Sequence, residues 1–341
     1  MAKAVEEPKR RNIAIDSGKN TSKAVEIVNS KVAKRFDVAT KMNDTDEKIS
    51  TSKSSYVVRF NGVSKMIGGL KGKYNYDTSK AQEVHRRATY LSISKLAENN
   101  EKIILSIGCP LSVWFNPLAR EAYKRYMLNL DDSNKLDVNE GDIPLSFEVD
   151  AEEYNFTIEH LLVYPETSGY LIKNEERYIG RSVAVVDIGG LNINGVVYQP
   201  TGEDGTLEPN EDTYFTTNEG GNIFVTKLMK ELNTQFGTNI QEYEIPEILK
   251  KGFIKVDKDR SAQIIQDFTS SYIENVRQEM KAHSWSVETL DFIFTGGGSI
   301  LFKDSILEIP AFCDAEFSEN PVWDNAEGFG VATEDVFAEY V

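Results

Sequence analysis

The chain opens on an apolar alternation at 12–17 that ends in Asp16-Ser17-Gly18, and apolar positions return at 24–28. This spacing predicts two strands joined by a tight turn. Residues 39–55, rich in Asp, Lys, Ser and Thr, read as a loop. A strand is expected at 56–61, with Gly62, Gly68, Gly69 and Gly72 marking turns. A helix is predicted over 79–99, with Ser79 as its cap and Val84, Ala88 and Leu91 on one face. A buried strand at 102–107 and a helix at 118–128 come next. An acidic loop at 131–142 then leads to strands at 144–149 and 157–163.

The pattern starts again near residue 182. A strongly apolar strand at 182–187 ends in Asp187-Ile188-Gly189-Gly190, and 192–198 returns as its partner. A Gly/Asp/Glu/Pro loop at 200–209 precedes helices at 221–235, 245–250 and 261–282. A strand at 290–295 runs into Gly296-Gly297-Gly298-Ser299. The last segment, 323–340, places Gly328 and Gly330 ahead of a short acidic helix. Two halves that each begin with a strand ending in Asp-x-Gly suggest two similar α/β domains related by duplication.

Composition narrows the function. No apolar run reaches the roughly 18 residues of a spanning helix, and the polar start has no signal-peptide core, so a cytoplasmic address is expected. Two cysteines, Cys109 and Cys313, lie far apart and are expected as buried thiols, and three scattered histidines give no zinc spacing. The net charge of −16 repels phosphate backbones, so direct non-specific binding to nucleic acid is disfavoured. A protein of this charge that serves DNA needs a basic adaptor.

Three loops carry candidate phosphate chemistry. In 15–23 a strand delivers Asp16 to its end and Gly18 permits a tight turn. Ser17 to Lys19 expose backbone N–H groups, and Lys23 reaches back over the turn. In 185–192 Asp187 ends four apolar residues, where an idle charge is expensive unless it is paired or beside a metal. In 292–299 three glycines lie between a strand and a helix and let a flat ligand approach the backbone. Each loop taken singly also suits an ordinary turn; no GxxxxGK[ST] motif occurs.

Together the three loops resemble those of the actin, heat-shock chaperone and sugar-kinase superfamily: first phosphate loop, second phosphate loop and adenosine motif. Two further segments carry a likeness to the plasmid-segregating ParM/StbA-type filament proteins. One is 103–111, a strand followed by Gly108-Cys109-Pro110-Leu111. The other is Tyr164-Pro165-Glu166-Thr167-Ser168-Gly169-Tyr170, similar to the family's Pro-Glu-Ser segment. Asn325 to Gly330 resembles the second interdomain connection, where glycines permit hinge rotation.

The resemblance implies an α/β actin-like (duplicated ribonuclease H-like) two-domain ATPase fold with a central nucleotide cleft. Domain I would cover 12–180, with a variable subdomain at 33–80. Domain II would cover 181–320, with a small subdomain at 216–258, and 321–341 would return to domain I. It further implies ATP/ADP and Mg2+ as ligands, with Asp16 and Asp187 facing each other and holding the metal largely through water. Ser17, Gly18, Lys19, Lys23, Gly189, Gly190, Gly296, Gly297, Gly298 and Ser299 would bind the nucleotide, and Glu166 would orient the attacking water. Lys250 ends a short helix in the region that touches the nucleoside in actins, although the position suits an exposed lysine at a helix C-terminus better.

Lys19, where the family commonly has Ser or Thr, and Leu191-Asn192, in place of Thr-Thr or Gly-Val, depart from the pattern. The implied role is a polymerising ATPase that forms homopolymeric filaments and segregates plasmid DNA through a ParR-like DNA-binding adaptor, without membrane attachment. A non-polymerising sugar- or acetate-kinase-like phosphotransferase of the same superfamily is the alternative, although no separate acid for a substrate hydroxyl stands out.

Overall fold

Apolar strands buried on both faces need cover on both sides, and the computed structural model shows how each half meets that need. It describes residues 9–50, 52–69, 72–74, 80–131, 141–201 and 205–337. The chain divides into two units, Met1–Lys173 with Asn325–Val341, and Asn174–Asp324.

The first unit begins with β1 (Arg10–Ser17), β2 (Thr21–Val28), β3 (Lys31–Ala39) and β4 (Lys41–Asp44). It continues through β5 (Ser55–Phe60), β6 (Val63–Gly68), β7 (Lys73–Tyr74) and α1 (Glu83–Leu96). β8 (Lys102–Cys109), α2 (Leu111–Trp114), α3 (Pro117–Met127), β9 (Ile143–Val149), β10 (Glu152–Pro165) and α4 (Ser168–Lys173) complete it. The strands form one sheet in the order β3-β2-β1-β8-β10-β9-β5-β6-β4-β7. β1, β8 and β10 are parallel and in register, Ile15 beside Ile107 and Ile107 beside Val163. Their carboxyl ends therefore stop at one level, where α/β sheets place ligands.

α1 packs Ala88 and Leu91 into the core with Ile13, Ile15, Ile103 and Leu105, and Val84 is buried on the same helix. Its buried Arg87 donates to the Val58 and Val63 carbonyls at 2.6 and 2.9 Å, tying the β5–β6 hairpin to the helix. The hairpin's backbone acceptors thus meet a charged donor instead of going unpaired.

The second unit contains β11 (Val183–Ile188), β12 (Ile193–Thr201), β13 (Thr206–Pro209), β14 (Phe215–Thr217), α5 (Gly221–Phe236) and α6 (Ile245–Lys251). α7 (Lys258–Ala282), β15 (Asp291–Thr295), α8 (Ser299–Leu307) and β16 (Glu316–Phe317) follow, and α9 (Asp324–Val336) carries the chain back into the first unit. The sheet order is β13-β12-β11-β15-β16, with β14 on β12. Its core gathers Val186, Phe224, Leu228, Phe294 and Phe302 under α5, α7 and α8. The arrangement β2-β1-β8 recurs as β12-β11-β15: an antiparallel hairpin with a parallel strand on its first member. The repeat expected from the two Asp-x-Gly strands is present as topology.

Several local expectations are corrected. β3, β4 and β6 occupy stretches the pattern did not mark as strands; β3 is largely exposed, so it shows no apolar alternation. α2 was not anticipated, and α3 starts at Pro117 behind Asn116, whose side chain accepts from Ala119 N–H. Cys109 is buried as expected, whereas Cys313 is exposed. Ser79, the proposed helix cap, and most of the acidic loop lie outside the described residues.

Gly328 and Gly330 sit inside α9 rather than ahead of a helix. They are required there by close approach. A Cβ on Gly328 would lie 2.2 Å from the Gly169 carbonyl oxygen, and one on Gly330 would lie 2.4 Å from the Ile27 side chain.

That packing yields a prediction whose sign runs against helix propensity. Alanine in a helix interior normally stabilises by about 1 kcal/mol relative to glycine. Gly328→Ala should instead destabilise by about 1–3 kcal/mol, because the methyl group meets backbone that cannot rotate away. Urea unfolding of the two proteins measures this; a gain in stability would show that the glycine serves only as a break.

Candidate functional site

β1 carries Asp16 and Ser17 to the sheet's carboxyl end, where the chain turns at Gly18 and returns along β2. Gly18 N–H donates to the Asp16 carbonyl at 2.9 Å, and the Thr40 hydroxyl donates to the Gly18 carbonyl at 2.6 Å. A Cβ on Gly18 would fall 2.7 Å from the Thr21 carbonyl oxygen, so the turn admits little else. Pairing of Asp16 with Lys23 across the hairpin brings the lysine Nζ to 2.9 Å from Asp16 Oδ2. Lys19 is buried beside this turn.

β10 ends at Pro165 and sets Glu166 at the same level. Glu166 N–H donates to the Cys109 carbonyl at 2.9 Å, which anchors it to the end of β8. Next to it, buried Thr167 has φ +86°. A β-branched residue in that region is strained by roughly 1–3 kcal/mol, a sign of backbone held for a purpose. The Ser168 hydroxyl donates to the Pro165 carbonyl at 2.8 Å and closes the turn.

Between the two carboxylates lies a residue the sequence did not reveal. Lys80, 3% exposed, stands just ahead of α1; its ammonium pairs directly with Glu166 Oε1 and lies 3.5 Å from Asp16 Oδ1. Burial opposes the charge on Lys80, but Glu166 and then Asp16 outweigh it and hold the ammonium above its ordinary range. Burial likewise would raise the Asp16 carboxyl, yet Lys23 and Lys80 overcome it and hold Asp16 at about 2. A lone lysine beside a helix start has no motif and no periodicity, so no sequence signal could have singled it out.

His85 was also missed as a site residue. It is buried on α1, with Nδ1 3.2 Å from the Ser17 hydroxyl. Burial, with Lys80 and Lys19 nearby, pushes its pKa down to about 3, so it is neutral at ordinary pH. Its signal was its place beside Val84 on the buried helix face.

In the second unit β11 and β15 end side by side, Asp187 against Thr295. Three backbone loops close on one another here. Gly298 N–H donates to the Ile188 carbonyl at 2.7 Å, and Gly221 and Asn222 donate to the Gly189 and Gly190 carbonyls, both at 2.8 Å. Gly296, at φ +78°, has no room for a side chain: its Cβ would lie 2.1 Å from Asp187 Oδ1. Gly220 and Gly221, not predicted as part of the site, complete the cluster at the start of α5; their signal was a Gly-Gly pair just before a helix. The Ser299 hydroxyl donates to the Gly296 carbonyl at 2.8 Å, and Thr295 Oγ1 donates to buried Asp324 at 2.5 Å.

The structure thus gathers Asp16, Ser17, Gly18, Lys19, Lys23 and Glu166 within the first unit. It gathers Asp187, Gly189, Gly190, Gly296, Gly297, Gly298 and Ser299 within the second. Lys250 lies exposed in the last turn of α6.

The depressed His85 has a consequence for stability. An unfolded histidine takes a proton near pH 6.5, while the folded one does so only near pH 3. Between those values the unfolded chain binds more protons, so stability falls as pH falls, by up to about 1.4 kcal/mol per pH unit for this group. Denaturant midpoints measured from pH 7 to 4 should decline less steeply in His85→Gln than in the parent chain; equal slopes would place the pH dependence elsewhere.

No protein-family model matches the chain, and no curated protein matches it in sequence. Solved structures do match in fold. An Alp12 filament structure is 23% identical, covering 98% of this chain and 100% of its own, with TM-score 0.67. The archaeal actin homologue Ta0583 in complex with ADP is 18% identical, covering 96% and 99%, also at 0.67. A 15-stranded ParM filament from Clostridium botulinum is 14% identical, covering 96% and 99%, again at 0.67. With matches that run almost end to end, and with a hairpin-plus-parallel-strand unit repeated in each half, the chain has the actin-like fold shared by ParM and Alp12.

Proposed function

We propose that the chain is an ATPase that assembles with copies of itself into filaments and serves DNA segregation through a ParR-like DNA-binding adaptor. The observation that carries this reading is the pair of buried acids Asp16 and Glu166 at the carboxyl ends of the parallel-running β1 and β10, with half-buried Lys23 paired to Asp16 from the antiparallel β2. Two acids held there beside ammonium groups match what phosphoryl transfer to water needs, namely positioning and charge neutralisation. The filament structures among the fold matches support self-association, and the ADP complex supports a nucleotide ligand.

Each loop set has its own role toward the nucleotide in this proposal. Backbone N–H groups at Ser17 to Lys19 and at Gly189 to Leu191 bind phosphates, and Lys23 adds positive charge at the β- and γ-phosphates. Gly296 to Gly298 carry no side chain that would obstruct a flat adenosine, and the Ser299 hydroxyl is turned back onto the Gly296 carbonyl, so 296–299 accept it. Glu166 orients the attacking water and takes up its proton. Among the described residues no group of three or more His, Cys, Asp or Glu is gathered as a direct metal site. Asp16 and Asp187 would each contact Mg2+ through its water shell, as suits an ion that dehydrates reluctantly; when bound it would neutralise charge on the phosphates. The −16 net charge favours an adaptor over direct DNA contact, and no described helix is long and apolar enough to cross a membrane. A cytoplasmic location belongs to the same proposal.

Sedimentation tests the assembly. The purified chain should pellet with Mg-ATP and remain in the supernatant with EDTA; no nucleotide-dependent pelleting at any concentration would overturn the filament reading and leave the fold untouched.

Two variants test the roles of the acids. Glu166→Ala should keep nucleotide binding and assembly while phosphate release slows by about 10²–10⁴-fold, so that filaments persist. Asp187→Ala should weaken Mg-ATP binding, and assembly with it. Hydrolysis at the parent rate in the first variant would make Glu166 a bystander, and normal Mg-ATP affinity in the second would remove Asp187 from the site.

A further inference from the structure

We propose that Lys80 is a positioning residue that withholds Glu166 from catalysis until a γ-phosphate draws the lysine away. The inference rests on the nucleotide reading above and adds to it a device that makes hydrolysis depend on the triphosphate. Its basis is the shared ammonium: Lys80 pairs directly with Glu166 and lies 3.5 Å from Asp16.

Asp16 has Lys23 at 2.9 Å on its other oxygen and so keeps a cation when Lys80 turns away. A carboxylate in a charge-assisted bond to an ammonium is a poor acceptor for a water proton, because the lone pairs that would receive it are engaged. Lysine is suited to such an exchange: a point charge on a flexible four-carbon stem can change partner without moving the backbone. Neighbouring groups leave the exchange to Lys80. The ring of His85 is neutral and holds Ser17, while Lys23 is committed to Asp16 by hairpin register. Lys19 is buried on the same side and adds to the positive field that a polyphosphate would meet.

A γ-phosphate beside Lys23 competes with Glu166 for the Lys80 ammonium. Once Lys80 turns to the phosphate, the freed Glu166 carboxylate accepts a proton from water. The water oxygen bonds to the γ-phosphorus, the bridging P–O bond breaks, and its electron pair leaves on ADP. Glu166 then returns the proton to solvent. A diphosphate reaches less far and leaves the Lys80–Glu166 pair in place.

The competition predicts a result that a merely structural lysine would not produce. Removing the charge of Glu166 should release Lys80 to the ligand. In titrations of the full chain with fluorescent ATP and ADP analogues in Mg2+, Glu166→Gln should therefore tighten ATP binding by at least about five-fold, the lower end of ordinary coupling. It should leave ADP affinity nearly unchanged. Lys80→Met, close in length and apolar, should weaken ATP binding, and in that background Glu166→Gln should no longer tighten it. The double-variant cycle isolates the coupling between the two side chains. Lys80→Arg should restore ATP affinity but not hydrolysis, because a guanidinium grips a carboxylate at two points and exchanges less readily.

Thermal melting of each variant confirms folding, and Glu166→Gln with Lys80→Arg decide the matter if Lys80→Met does not fold. Unchanged ATP affinity in Glu166→Gln, with the parent chain binding and hydrolysing ATP, overturns the role of Lys80 alone. Absence of nucleotide binding by the parent chain overturns the nucleotide reading and this inference together.

Discussion

Two carboxylates and their ammonium partners, buried together at one end of a sheet, set the terms for the first unit. Asp16 and Glu166 are each nearly inaccessible, and ions in such a place are tolerated only when opposite charge and hydrogen bonds surround them. Lys23 and Lys80 supply the charge. Removing either acid or either lysine would cost its partner an opposite charge, and such a cluster contributes less to stability than a well-packed apolar core would. Set beside a core of aliphatic and aromatic side chains, this charged cluster is the feature on which the proposed chemistry rests.

The sheet exists in a form that holds this cluster in place. β1, β8 and β10 run parallel, so their ends share a level, and each contributes one part: the acid and turn from β1, the anchoring carbonyl of Cys109 from β8, Glu166 from β10. Strain at Thr167 and the tight turn at Gly18 are local consequences of bringing polar groups to that level. In the second unit the same topology ends differently. There the polar groups are mostly backbone, and glycines at 220, 221, 296 and 298 let three loops touch where any side chain would intrude.

α9 shows how packing limits the outer elements. Its glycines accept a small loss of helix propensity so that the helix can lie against the Gly169 backbone and against Ile27. Further ion pairs, Lys173 with Glu327 at 3.0 Å and Arg35 with Glu327, tie it to α4 and β3. The tail of the chain is in this way an integral part of the first unit.

Much of this was legible in the chain itself. Local signals were enough for Asp16-Ser17-Gly18, Asp187-Ile188-Gly189-Gly190 and Gly296-Gly297-Gly298, because a strand running into a turn is written in neighbouring residues. The buried face of α1 and the strands β8, β11 and β15 were legible for the same reason. β3, β4 and β6 were not, since a strand of mostly exposed or half-buried residues has no clear apolar alternation and owes its existence to its neighbours. Gly328 and Gly330 read as a hinge because sequence shows glycine's freedom but not the backbone pressed against it. Lys80, five residues ahead of His85 and eighty-six ahead of Glu166, became a site residue only when the fold carried its ammonium between two acids. Local spacing determines which backbone turns and strand ends can form; which distant charges must share a burial site is decided by the tertiary structure, since that cost arises only once water has been excluded.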